Sequence, residues 1–137
     1  MILYKKNKTK LIVLSIVLIV FAFMVILFIN IVSELKNGEQ TLSEMTFTEI
    51  DLSSIKDGTY TGEFKAGLVY VKVKTTIQDK KITDIKLIEH KNGKGSAAES
   101  IISDIIAKQT TDVDMISGAT ISSKVIRKAI ENSLGEK

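Results

Sequence analysis

The chain contains no cysteine. Disulfides, thiolate metal sites and a lipid anchor on cysteine are therefore excluded. Histidine is almost absent: His90 stands alone in 137 residues. A single imidazole cannot form a metal site, and no acidic cluster with metal spacing surrounds it. Arginine is as scarce, with Arg127 the exception among 19 basic residues. The bidentate phosphate clamps that guanidinium groups provide are nearly out of reach. Strong net charge is also missing. The formal value of +3 includes Lys5, Lys6, Lys8 and Lys10, which precede everything else charged. Setting those four aside, the part after Val32 holds 15 basic and 16 acidic residues, a net charge of −1. A near-neutral domain of this kind is no nucleic-acid binder.

One long apolar run dominates what is present. Leu11 to Val32 is 22 residues without a charge, rich in Leu, Ile, Val and Phe. As a helix it would reach roughly 33 Å, enough to cross a bilayer. The lysines before it and the first acid, Glu34, after it place the N-terminus in the cytoplasm and the rest outside. A cleaved signal peptide shares the basic start and apolar core. The core is longer than a usual signal, and no A-x-A site follows it, so an uncleaved anchor is the expectation. The resulting order is a basic cytoplasmic flank over 1–10, a transmembrane anchor over 11–32, a polar linker over 33–56 and a folded domain over 57–137.

Within the domain, Asp57-Gly58 is a turn signal. Thr59 to Phe64 carries strand-forming residues. Val69, Val71, Val73, Thr75 and Ile77 alternate with Tyr70, Lys72, Lys74 and Thr76, the period of a half-buried strand. Asp79-Lys80-Lys81 gives a polar turn, and Ile82 to His90 reads as a third strand with Ile85 and Leu87 on one face. Ser96 is a candidate N-cap for a helix to about Lys108, with Ala97, Ala98, Ile101, Ile102, Ile105 and Ile106 on its apolar face. A second helix is predicted from Ser122 or Ser123 to Leu134, where Gly135 stops it. The fold class is α+β: a small antiparallel sheet packed with two helices, preceded by one N-terminal transmembrane helix.

The chemistry concentrates at Asp114-Met115-Ile116-Ser117-Gly118-Ala119-Thr120-Ile121-Ser122-Ser123. Gly118 permits turns that other residues resist and lets a ligand approach the backbone. Ser117, Ala119, Ser122 and Ser123 are small and leave the turn open. The helix that follows offers N–H groups and a positive dipole end to an anion. Thr120 supplies an oxygen able to carry an ester. On these grounds alone, ordinary helix capping is the better explanation of the same residues.

The stretch from Asp57 to Leu134 resembles the FMN-binding domain family. The likeness lies in the opening Asp-Gly-Thr-Tyr-Thr-Gly-Glu, in Lys81-Ile82-Thr83-Asp84-Ile85, in Glu89-His90, and in the run Thr111 to Lys124 that contains Ser117-Gly118-Ala119-Thr120. The domain is shared by the C subunit of sodium-translocating NADH:quinone reductase, by the corresponding Rnf-complex subunit, and by many small exported proteins. The resemblance implies that Thr120 carries FMN through a phosphoester bond. It implies that a flavin transferase makes this bond from FAD with magnesium, releasing AMP. Asp114, Ser117, Gly118 and Ala119 match the part the transferase recognises, and Ser122 completes the cofactor-binding set. The chain is then an electron carrier and a transferase substrate, with no catalytic residues or metal site of its own. Its partners would be the transferase and a membrane redox donor such as a quinone- or NADH-linked complex.

Several residues carry weaker signals. His90 at a strand end is most simply a surface or loop residue. Lys91-Asn92-Gly93-Lys94-Gly95 lacks a phosphate-loop pattern and reads as a solvated turn; by resemblance, Gly95 and Ser96 are flavin neighbours. Tyr60 and Tyr70 could stack on a flavin ring, though strand tyrosines usually pack on the sheet. Two other roles remain open at this stage: a membrane-tethered, non-redox binding or sensor module of the same fold, and an accessory subunit of a larger redox complex.

Overall fold

A computed structural model describes residues 2–91 and 95–135, with side chains from Lys10 onward. The chain divides into two compact units between Leu35 and Lys36. A single helix, α1 (Ile2–Glu44), begins in the first and ends in the second. The chain has no proline, and no glycine precedes Gly38, so nothing interrupts the helical hydrogen bonds. Large apolar side chains from Leu11 to Val32 are exposed. The one hydroxyl within that run, Ser15, donates to the Leu11 carbonyl at 2.8 Å within its own turn. From Lys10 to Glu44 this helix is long and apolar enough to cross a membrane, with a mean hydropathy of 3.4 in its most apolar window. The helix does not end with the apolar run; it continues to Glu44 through residues that read as spacer in the sequence.

The second unit is built on a three-stranded antiparallel sheet in the order β1 (Gly58–Ala66), β2 (Val69–Gln78), β3 (Lys81–Lys91). Both turns are two residues long. Gly67 takes φ 58 in the first, and Asp79 and Lys80 take φ 52 and 60 in the second. Positive φ at the first or at both turn residues matches the twist of the strands they join. The Asp57 carboxylate accepts from the Asp79 N–H at 3.0 Å and supports that turn.

The alternation in β2 holds as read: Val71, Val73, Thr75 and Ile77 are all buried. Strand β3 is different. Its register against β2 slips twice, between Lys72 and Val73 and between Thr76 and Ile77. Each slip leaves one β3 residue unpaired, Ile88 and Thr83 respectively. An extra residue shifts the alternation of the side chains beyond it by one. Ile82 and Ile85, three apart, therefore both point into the core. The bulge at Ile88 turns His90 inward opposite Val71.

Helix α2 (Ile101–Lys108) follows a 3₁₀ turn over Gly95–Ser100. Ser96 thus lies inside that turn and does not cap an α-helix, and Ala97 is exposed. A three-residue repeat places Ala98 and Ile101 in line, and both are fully buried. Gln109 closes α2 at φ 55. Its amide pairs with β3: the Ile82 N–H donates to Oε1 at 2.8 Å and Nε2 donates to the Ile82 carbonyl at 2.9 Å. Helix α3 (Thr120–Leu134) begins two residues before Ser122. Its stripe of Val125, Ile126, Ala129, Ile130 and Leu134 packs into the core with the sheet. Contact with β1 is backbone to backbone. A Cβ on Gly62 would collide with the Ala129 carbonyl and the Ser133 N–H. Across this interface the Thr75 and Ser133 hydroxyls meet at 2.8 Å, and Asn132 Nδ2 donates to the Glu63 carbonyl at 3.0 Å.

Residues 45–56 lie along this body as a strap. Leu42, Ile50, Leu52 and Ile55 pack against the core, and Gly38 approaches Gly67 so closely that a Cβ on it would sit 2.6 Å from the Gly67 Cα. The strap is fixed by buried charge on α3. Glu131, 4% exposed, accepts from the Thr48 N–H, Arg127 Nε and Lys128 Nζ, each at 3.2 Å, and from Thr111 Oγ1 at 3.3 Å. Lys128 also donates to the Thr46 carbonyl at 2.8 Å. The Arg127 guanidinium lies 4.1 Å from the Phe47 ring centroid and donates to Asp112 at 3.1 Å. The scarce arginine is therefore a structural cation.

Candidate functional site

The segment before α3 is a tight turn. The Ala119 N–H donates to the Ile116 carbonyl at 3.0 Å, with Gly118 third of the four residues at φ 77. A positive φ at that position selects glycine. The turn is stapled from within the helix by Ser123, which is fully buried. Its hydroxyl donates to the Ala119 carbonyl at 3.0 Å and accepts from the Ile116 N–H at 3.1 Å. One small side chain therefore joins both ends of the turn to the first helical turn.

The capping explanation raised by the sequence does not describe this helix start. The N-cap residue is Ala119, which has no side-chain oxygen, and among the described residues no side-chain cap bond closes the helix start. The Ser123 N–H makes the first intrahelical bond, to the Ala119 carbonyl at 2.9 Å. The N–H groups of Thr120, Ile121 and Ser122 lie ahead of it, the position of unsatisfied helix donors. No acidic residue occupies the first turn, where a carboxylate would otherwise complement the dipole.

Thr120 is the first residue of α3 and is exposed. Among the described residues its hydroxyl makes no hydrogen bond. It opens on a shallow cleft of about 410 Å³ lined by Val69, Gly95, Gly118, Ala119, Thr120, Ile121 and Ser122. Five residues singled out in the sequence thus share one cleft: Gly95, Gly118, Ala119, Thr120 and Ser122. Ser117 is exposed in the turn and Asp114 is exposed upstream of it; neither lines the cleft. Gly95 lines it and Ser96 does not, while Asn92, Gly93 and Lys94 lie outside the described residues.

The aromatic candidates are engaged elsewhere. The Tyr60 hydroxyl donates to the Lys56 carbonyl at 2.7 Å. The Tyr70 hydroxyl donates to Glu63 at 2.8 Å. That bond, with Lys72 at 3.2 Å, holds the Glu63 carboxyl below its usual range and pushes the Tyr70 phenol above its own. His90 is not the surface residue its position suggests. Its side chain is 3% exposed and Nδ1 lies 2.9 Å from Glu99, because the bulge at Ile88 rotates it inward. Sequence reasoning also passed over Val69 and Ile121. The signal for Ile121 is a large apolar residue set among small ones in the first turn of a helix.

A larger cleft of about 760 Å³ lies between the strap, β1 and the end of α3, with Ile50, Ile55, Tyr60 and Leu134 on its walls. It meets the C-terminal end of α3, where the dipole opposes an anion. The smaller cleft has the chemistry.

The chain belongs to the FMN-binding domain family. The family model matches residues 67–135, just over half of the chain, from the β1–β2 turn to the end of α3. No curated protein matches the chain. FMN is accordingly the cofactor. The residues present suit it: an uncapped helix start favours a phosphate, Gly118 carries no side chain over it, and apolar walls stand alongside.

Proposed function

We propose that this protein is a membrane-anchored, extracytoplasmic electron-transfer flavoprotein that holds FMN as a phosphoester on Thr120. The observation that carries the proposal is the exposed Thr120 hydroxyl at an uncapped helix start in the cleft of an FMN-binding domain. The chain's own residues bind and position. Thr120 Oγ provides the ester oxygen. The N–H groups of Thr120, Ile121 and Ser122 face the phosphate charge. Ser123 holds the turn in shape, and Gly118 keeps it open. Bound FMN supplies the redox chemistry.

Attachment is the work of a separate flavin transferase acting on FAD with magnesium. The bond formed joins Thr120 Oγ to the phosphorus of the flavin half. The bond broken is the pyrophosphate link, AMP leaves, and the hydroxyl proton passes to the transferase or to water. Asp114, Ser117, Gly118 and Ala119 are the segment the transferase reads. An ester removes dissociation, which matters outside the cell, where lost FMN is not easily replaced. The lysines before Leu11 keep the N-terminus in the cytoplasm, so the domain works beyond the membrane. A quinone- or NADH-linked membrane complex serves as donor. Lys- and Ile-rich usage fits a bacterial source.

Intact mass of the protein co-expressed with a transferase is the test. We expect the parent mass to rise by one FMN less one water, and Thr120→Ala to abolish flavin retained in denaturant. Flavin surviving denaturation of Thr120→Ala overturns the assignment. An unmodified mass from the native host favours a non-redox module instead, and stable co-purification with membrane partners an accessory subunit.

A further inference from the structure

We infer that the tip of the β1–β2 hairpin rests on the bilayer, with the Leu68 side chain set in the lipid interface. The inference rests on Leu11 to Val32 spanning a membrane, and it is independent of any cofactor at Thr120.

Three large apolar side chains are exposed among the described residues of the second unit: Leu68, Ile88 and Ile121. Ile88 is the unpaired residue of a β3 bulge, and Ile121 lines the Thr120 cleft. Leu68 has neither reason. It is the most exposed of the three, at 57%, and it stands in the two-residue turn between Ala66 and Val69. Such turn positions ordinarily go to Gly, Asn, Asp or Ser.

A pair of glycines fixes where along the chain this tip is held. Gly38 is buried against Gly67, the other residue of the turn, so closely that a Cβ on Gly38 would meet the Gly67 backbone. Gly38 comes six residues after Val32, the end of the apolar run. Six helical residues rise about 9 Å, and six fully extended ones span no more than about 22 Å. The headgroup layer adds roughly 5–8 Å to each side of the hydrocarbon. A polar spacer alone would let the hairpin drift away from the membrane; the contact between Gly38 and Gly67 removes that freedom.

The residues behind the tip suit an interface. Lys65, Tyr70 and Lys91 form one row across β1, β2 and β3, one pair in from the turn. The Lys91 ammonium lies 5.6 Å from the Tyr70 ring centroid. Tyrosine and lysine flank bilayers because the ring or stem sits low while the polar end stays in water. Net charge does not drive the contact, since Glu89 pairs with Lys91 at 2.9 Å and Glu63 with Lys72 at 3.2 Å. Lipid is favoured over a protein partner because the chain's own anchor keeps the bilayer within reach, so contact costs little further entropy. Val69, next to Leu68, lines the Thr120 cleft, so a docked hairpin keeps that cleft near the membrane.

The chain contains no tryptophan, so a single introduced one is an unambiguous reporter. Leu68→Trp, Gln78→Trp and Phe21→Trp are made in the full chain and reconstituted into vesicles of phosphatidylethanolamine and phosphatidylglycerol. A share of the lipid is brominated, either high on the acyl chains or near their ends. Gln78 is exposed at the far end of β2, and Phe21 lies in the middle of the apolar run. Bromine high on the chains is expected to quench Leu68→Trp about fivefold more steeply than Gln78→Trp, the contrast between a residue roughly 5–10 Å into the interface and one in water. Equal slopes at the two positions overturn the inference. If both are shallow, Leu68 is left to a protein partner, which these vesicles lack; if both are steep, tryptophan itself seeks the lipid. Bromine near the chain ends must quench Phe21→Trp. Should it fail to, α1 does not span the bilayer, and the anchor reading falls together with this inference. Quenched Phe21→Trp beside unquenched Leu68→Trp rejects the hairpin contact alone.

Discussion

Replacing Glu131 with alanine takes the acceptor from four hydrogen bonds at once. The donors do not fare equally. The Thr48 N–H is in an exposed residue and turns to water. Lys128 keeps the Thr46 carbonyl at 2.8 Å. Arg127 keeps Asp112 at 3.1 Å and the Phe47 ring, but its Nε is left facing a cavity. Thr111, 3% exposed, loses its side-chain acceptor. Breaking a buried ion pair by removing one partner costs about 3–5 kcal/mol. The fallback partners of Arg127 and Lys128 put the expected loss near the low end, about 3 kcal/mol. For a domain of this size the melting temperature then falls by roughly 10–20 °C. Glu131→Gln keeps the acceptor oxygen and loses only the charge, so it is expected to cost about half as much. Urea unfolding of the full chain in detergent, followed by tyrosine near-ultraviolet dichroism, gives the free energies. Amide exchange at residues 46–48 should accelerate more than exchange in β2, because the strap detaches first. A loss below about 1 kcal/mol, or no selective exchange at the strap, refutes the view that Glu131 holds it.

Two further outcomes follow from the geometry. Gly62→Ala pushes a methyl group into the Ala129 carbonyl and the Ser133 backbone, forcing α3 off β1; a loss of about 3 kcal/mol or more is expected by urea titration, since backbone cannot rotate away. On the open face of the sheet, Glu63 and Tyr70 share a hydrogen bond that lowers the first pKa and raises the second. The Glu63 contribution to stability is complete above the ordinary carboxylate range and disappears as pH falls through its depressed pKa. The Tyr70 contribution is complete below an ordinary phenol pKa and disappears as pH rises through its elevated one. Ultraviolet titration should show one tyrosine ionising above the others, and Glu63→Gln should return it to the normal range.

Much of the architecture is legible in local pattern. The period of two in β2 and the stripe of α3 both describe one buried face, and one-sided burial is what such patterns record. The small-residue turn ahead of α3 is legible for the same reason, since Gly118 and its neighbours act within a few residues of one another. What escapes is non-local. The bulges in β3 follow from fitting Ile82, Ile85 and His90 to β2, and strict alternation in the sequence hides them. The strap escapes for a related reason: Thr48 and Glu131 are 83 residues apart. A lone arginine, a glutamate and a polar stretch become one network only when the chain folds. The 3₁₀ start of α2 is a smaller case, because Gly95 to Ser100 contains residues that suit either turn.

The side-chain amide of Gln109 has a consequence for how copies of this protein live together. The outer strand of any sheet is a template on which another chain can add a strand. Gln109 takes both the N–H and the carbonyl of Ile82 on β3, and Asn132 takes the Glu63 carbonyl on β1. Each outer strand is thus partly occupied by an amide of its own chain. Domains crowded side by side would find these hydrogen bonds already made, so the sheet is discouraged from growing across neighbours into a β-aggregate.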